Sequence, residues 1–186
     1  DRRQRQMCIR DRSMGTGWRQ MDGAWYYFQS SGKCVVNSWA QIKDNWYLFG
    51  TDGKMMTGWA KVDTDYYYLN TDGRMLTGWL TDSEGNKYYM NQSNGKMSVG
   101  WKQIDGKWYY FEGSGAMRSG GWMKQGGTWY YLSGSGAMQT GWLSKGGSWY
   151  WLDPESGRMA TGWEKASDGK WYYLSLIHIS EPTRPR

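Results

Sequence analysis

The chain has 186 residues, 18% of them aromatic, yet its mean hydropathy is only −0.86. It holds 15 Trp and 15 Tyr against three Phe, with 27 Gly, which excludes an ordinary Leu/Ile/Val core and leaves an interior built from rings and Met. The formal charge of +6 is concentrated at the ends: residues 1–13 carry five Arg against Asp1 and Asp11, Arg184 and Arg186 outweigh Glu181, and residues 14–174 keep only about +2, which argues against a nucleic-acid partner.

Taken in chain order, residues 1–13 (DRRQRQMCIRDRS) share nothing with the central region of the chain. They resemble translated sequencing-adapter sequence and are set aside as a non-native or disordered flank. From residue 14 a repeat begins. A Trp preceded by a small residue recurs at Trp18, Trp39, Trp59, Trp79, Trp101, Trp122, Trp142 and Trp163, at intervals of 20 to 22 residues. An aromatic cluster comes after each one, from Trp25-Tyr26-Tyr27 to Trp171-Tyr172-Tyr173, and then a Gly-x-Met such as Gly53-Lys54-Met55. Such periodicity marks a repeat architecture. Residues 175–186 (SLIHISEPTRPR) break the pattern again and form the second flank; the only histidine, His178, lies there.

Each unit reads as a β-hairpin. The first strand starts at the Gly-Trp. Turn pairs come next, at Asp22-Gly23, Asp44-Asn45, Asp105-Gly106, Gly126-Gly127, Gly146-Gly147 and Asp168-Gly169, which suit the positive φ of tight hairpins. The aromatic cluster is the second strand. With the turn at Asp105-Gly106, the pleat puts Trp101, Trp108 and Tyr110 on one face and Tyr109 and Phe111 on the other. One hairpin is marginal alone, but stacked hairpins bury the second face. The expected fold is all-β: an elongated β-solenoid of tandem hairpins with aromatic sites between successive turns.

Two Trp and a Tyr around one cavity suit a methylated quaternary ammonium, which has no N–H to donate and is held by cation–π attraction and methyl contact. A Met thioether suits the same lining. Three rings amount to a few kcal/mol, about millimolar for one site, so such chemistry calls for repetition on a polymeric ligand.

The units, for example Thr140-Gly141-Trp142 through Thr161-Gly162-Trp163, resemble the choline-binding (cell-wall-binding) repeats of Gram-positive surface proteins and lytic enzymes. The resemblance covers residues 14–174 and implies an array of eight hairpins with a site between neighbours, two Trp from one hairpin and a Tyr from the next, with a Met nearby. Carried over, it groups Trp101, Trp108, Tyr131 and Met117; Trp142, Trp149, Tyr173 and Met159; Trp122, Trp129, Trp151 and Met138; Trp39, Trp46, Tyr68 and Met55; and Trp59, Tyr66, Tyr89 and Met75. Two interfaces depart: Trp18 and Trp25 would face Leu48, which supplies no ring, and Trp79 would pair with the cation Lys87. The implied ligand is the phosphocholine of teichoic or lipoteichoic acids, and the implied setting is extracellular and cell-wall associated, with ligand-promoted homodimerisation by analogy. The rival reading is a glucan or other carbohydrate-binding repeat, whose members share the Tyr-Tyr-Phe and turn-Gly pattern.

An enzyme, a metal and a cofactor are not expected. The Asp residues sit mostly in turns, Asp63 and Asp65 form no calcium loop, and Cys8 and Cys34 make no disulfide framework. Cys34 sits near a Met position of other units and reads as a small apolar substitute. No apolar run is long enough for a membrane span or a signal peptide; a signal, if the protein is secreted, lies outside these residues.

Overall fold

The computed structural model describes residues 15–174, and every element in them is a strand. Both flanks lie outside the described residues, as does Cys8. The strands form eight antiparallel two-stranded hairpins in two compact units that divide after Ser98. The first unit holds β1 (Gly17–Met21) with β2 (Ala24–Phe28), β3 (Ser38–Ile42) with β4 (Asn45–Phe49), β5 (Gly58–Val62) with β6 (Asp65–Leu69), and β7 (Gly78–Thr81) with β8 (Lys87–Met90). The second holds β9 (Gly100–Ile104) with β10 (Lys107–Phe111), β11 (Gly121–Gln125) with β12 (Thr128–Leu132), β13 (Gly141–Lys145) with β14 (Ser148–Leu152), and β15 (Gly162–Lys165) with β16 (Trp171–Leu174).

The turns explain the register. Asp105 and Gly106 take φ of 49° and 77°, as a tight primed turn requires, so Trp101 faces Tyr110 and Gln103 faces Trp108. The pleat expected for this hairpin is the one found. Two turns differ from expectation, those of the second and eighth hairpins, and the fourth, for which no turn pair is read from sequence, is wider. In the second hairpin the turn residues are Lys43 and Asp44, with φ of 47° and 65°, and Asn45 already pairs with Ile42. The fourth hairpin closes through a wider loop in which the Asp82 carboxylate accepts the amides of Glu84 and Asn86 at 2.9 and 2.8 Å. The eighth also has a wide loop rather than a two-residue turn at Asp168-Gly169: the Gly169 amide donates to the Ala166 carbonyl, and Asp168 accepts the Lys170 amide.

The interior runs along the last residue of the second strands. Phe28, Phe49, Leu69, Met90, Phe111, Leu132 and Leu152 are all but inaccessible. Each is bridged by the linker that leaves its hairpin: Phe28 to Cys34, Phe49 to Met55, Leu69 to Met75, and onward to Leu152 with Met159. Cys34 therefore does occupy the Met position. Burying each of these Phe or Leu side chains contributes about 1.5–3 kcal/mol, and no hairpin could bury one unaided.

Hairpins are stitched through the linkers as well. The amide of Met55 donates to the carbonyl of Trp25 at 2.7 Å, Met75 to Trp46 at 2.8 Å, Met97 to Tyr66 at 2.8 Å, Met138 to Trp108 at 2.8 Å and Met159 to Trp129 at 2.8 Å. Each linker thus bonds to the hairpin before the one it leaves. This offset is the solenoid step within each unit, and it decides which residues meet at a site.

Candidate binding site: aromatic cages between hairpins

On one face of a hairpin the first-strand Trp and the second-strand Trp are diagonal neighbours, within reach of large rings. Trp18 and Trp25 lie 6.2 Å apart between centroids at 87°, Trp122 and Trp129 6.4 Å at 86°, and Trp142 and Trp149 6.3 Å at 86°. Perpendicular indoles make two walls of an open box. The second-strand Trp remains outward, with Trp25 41% and Trp149 47% exposed.

The next hairpin supplies the third wall from the middle of its aromatic triplet. Trp18 meets Tyr47 at 4.9 Å, Trp39 meets Tyr67 at 5.0 Å and Trp59 meets Tyr88 at 5.0 Å in the first unit. In the second unit Trp101 meets Tyr130 at 4.9 Å, Trp122 meets Tyr150 at 4.7 Å and Trp142 meets Tyr172 at 4.8 Å. All are edge-to-face, the arrangement ring quadrupoles favour.

These ring contacts lie one residue away from the expected groupings. Tyr68, Tyr89, Tyr131, Trp151 and Tyr173 pack instead against the first-strand Trp of their own hairpins, at 5.3, 5.2, 5.2, 5.1 and 5.3 Å. Tyr89, Tyr131 and Trp151 are buried there. The reason is the pleat: the third ring of a triplet points the same way as its own Trp, so only the middle ring reaches back to the preceding hairpin.

The Met residues lie one repeat earlier than expected because each linker bonds to the hairpin before the one it leaves. Met55, grouped with Trp39 and Trp46 on sequence, lines a cleft of about 360 Å³ together with Trp18, Trp25, Tyr47, Thr71 and Asp72. The linker bonds place Met75 beside Trp46, Met138 beside Trp108 and Met159 beside Trp129, so Met75, Met138 and Met159 also belong one hairpin earlier than expected. Met117 bridges Phe111, and its sulfur lies where a Cβ on Gly136 would sit. The first interface is the largest correction. With Tyr47 in place of Leu48, Trp18 and Trp25 have a complete set of walls, while Leu48 is buried in an apolar cluster with Ala60 and Leu69.

Lys87 faces Thr81 across the fourth hairpin, at the place where other hairpins carry an aromatic ring. Trp79 packs on Tyr89 at 5.2 Å. That hairpin therefore presents one cage Trp rather than two.

The ring and thioether walls carry no formal charge, and the first cleft is also lined by the Asp72 carboxylate. Burial, and then the hydrogen bond its hydroxyl donates to Asp82 at 3.1 Å, push the Tyr88 phenol up from its ordinary value. The hydrogen bond to Asp168 at 2.8 Å, and then burial, do the same for Tyr172. No cluster of three or more His, Cys, Asp or Glu able to hold a metal occurs among the described residues, and no helix in them is long and apolar enough to cross a membrane.

Two family models match this architecture. One, described as a choline-binding repeat, matches residues 36–70, 56–100, 98–138 and 119–162. The other, described as a putative cell wall binding repeat, matches residues 16–34 and 161–175. No curated protein sequence matches. Among solved structures, choline binding protein F from Streptococcus pneumoniae, crystallised in the presence of a peptidoglycan analogue (a tetrasaccharide-pentapeptide), is 36% identical with a TM-score of 0.73 over 86% of this chain and 56% of that one. The modular autolysin LytC of the same organism is 29% identical with a TM-score of 0.62, over 91% of this chain and 39% of that one. The choline-binding domain of CbpL from Streptococcus pneumoniae is 27% identical with a TM-score of 0.54, over 92% of this chain and all of that one. The chain spans just over half the length of the first of these.

Proposed function

We propose a ligand for the cages on one premise: this chain belongs to the choline-binding repeat family. The ligand is the trimethylammonium group of choline, met as phosphocholine on teichoic or lipoteichoic acid. The role is non-catalytic anchoring of a larger protein at the cell wall. The observation that carries this reading is the repeated three-ring box, in which a first-strand Trp touches the next hairpin's middle Tyr at 4.7–5.0 Å.

The physical fit comes from what the box offers. Its walls are mainly π faces and a Met thioether, which hold a cation without N–H by cation–π attraction and methyl contact. The proposed contacts are Trp18, Trp25, Tyr47 and Met55; Trp39, Trp46, Tyr67 and Met75; Trp59, Tyr66, Tyr88 and Met97; Trp101, Trp108, Tyr130 and Met138; Trp122, Trp129, Tyr150 and Met159; and Trp142, Trp149 and Tyr172. Each box contributes about millimolar affinity, and several on one polymer reach useful avidity through effective concentration.

The test is a titration of the chain with choline chloride followed by Trp fluorescence, with glucan oligosaccharides at matched concentration. Saturation in the millimolar range by choline alone supports the reading. A response to glucan without one to choline overturns it and leaves a carbohydrate-binding solenoid.

A further inference from the structure

The boxes are built alike but are not alike in charge. The residue two positions after the first-strand Trp lies directly across from the second-strand ring. It is Gln20, Gln41 and Gln103 in the first, second and fifth hairpins, Ser144 in the seventh, but Lys61 in the third and Lys124 in the sixth. The Lys61 ammonium stands over the Tyr66 ring, 5.4 Å from its centroid. Lys124 stands over Trp129 at 5.7 Å. Lys145 of the seventh hairpin lies over Tyr131 at 5.6 Å, a ring that packs within its own hairpin and is not a box wall. The cleft of the first hairpin is lined in part by Asp72, whose carboxylate is paired with Arg74 at 3.2 Å.

A resident ammonium has two effects on a guest. It already engages the quadrupole of a wall ring, so that ring attracts a second cation less. It also repels the guest cation directly. Both disfavour a bare quaternary ammonium. A guest that carries a phosphate beside its ammonium reverses the balance, since the anion can lie against the lysine.

We infer that Lys61 and Lys124 are specificity-determining residues which make the third and sixth boxes selective for the phosphorylated, zwitterionic headgroup over free choline, while the glutamine-bearing boxes do not discriminate. The inference rests on the choline reading of the boxes. It gives the array two kinds of site, one for any trimethylammonium and one that favours a phosphate beside the ammonium.

The experiment monitors the indole N–H resonances of the 15N-labelled full chain, assigned through single-site variants, as choline chloride or phosphocholine is added. The preference for phosphocholine, expressed as a ratio of dissociation constants, should be larger by about threefold or more at Trp122 and Trp59 than at Trp39, and should shrink in high salt. Lys124→Gln should raise choline affinity at Trp122 and erase the preference there, Lys124→Arg should keep it, and Gln41→Lys should create it at Trp39. Equal ratios at Trp39, Trp59 and Trp122 would overturn the lysine assignment while leaving choline binding intact. An absence of shifts at every Trp with either ligand would overturn both.

Discussion

Trp122 touches rings on two hairpins: Tyr131 across its own strand pair at 5.2 Å, and Tyr150 of the next hairpin at 4.7 Å. Tyr131 is 9% exposed and serves the fold. Tyr150 is half-buried and completes a wall of the box. Replacing Tyr150 by Leu should therefore weaken choline binding at Trp122 about 3- to 30-fold, the worth of one cation–π wall, with little loss of melting temperature. Tyr150→Phe should bind nearly as the parent does. Site-resolved titration checks this, and an unchanged affinity in Tyr150→Leu would remove the middle Tyr from the site.

The close stacking of linkers makes a different position sensitive. Gly157 has φ of 71°, and a Cβ there would overlap the sulfur of Met138, the residue tied to Trp108. Gly157→Ala should cost about 1–3 kcal/mol through backbone strain and should also disturb the box of Trp101 and Trp108 by displacing Met138. Chemical denaturation measures the first effect, and the indole signal of Trp108 during a choline titration reports the second.

Leu132 is fully buried, bridged to Met138, and remote in role from the π walls. Leu132→Ala should destabilise the second unit by about 2–5 kcal/mol. Below its lowered melting temperature, choline affinity at Trp142 should stay within about twofold of the parent. A large affinity loss in the folded variant would mean that the core residue also shapes the boxes.

Acid should act on loops and leave the boxes alone. The carboxyls of Asp82, Asp153 and Asp168 are held below the ordinary carboxylate range, chiefly by hydrogen bonds from the Asn86 side chain, the Ser156 side chain and the Lys170 amide respectively. A depressed folded value means that their contribution is complete above the unfolded carboxylate value and is lost as pH falls through the folded values. Thermal stability should therefore be level from about pH 8 to 5 and decline below about pH 4. Choline affinity should be flat from about pH 5 to 9, because the phenols of Tyr88 and Tyr172 are pushed further from neutrality. A choline-binding transition inside that window would point to an ionised wall.

Much of the fold is legible in the sequence because it is local. The pairing of Trp101 with Tyr110 derives from turn position and the two-residue pleat alone, and the placement of Cys34 at a Met position derives from spacing. What one hairpin offers the next is not local, and there the contacts found lie one residue from the expected ring and one repeat from the expected Met. A signal is nevertheless present. The middle residue of the triplet is Tyr in all eight repeats, from Tyr26 and Tyr47 to Tyr172, whereas the third is Tyr, Leu or Trp. A wall that must meet the preceding Trp edge-on tolerates less change than a ring or chain that only fills its own hairpin. The fourth-hairpin exception is visible for a simpler reason, since Lys87 cannot supply a π face.

On the reading proposed above, a trimethylammonium group sits between Trp122, Trp129 and Tyr150. A crystal structure of the chain grown with saturating choline is the decisive measurement. Density for the cation should be enclosed by those three rings, with the Met159 thioether beside it. Choline bound on the Tyr131 side, or empty boxes at saturating ligand, would contradict it.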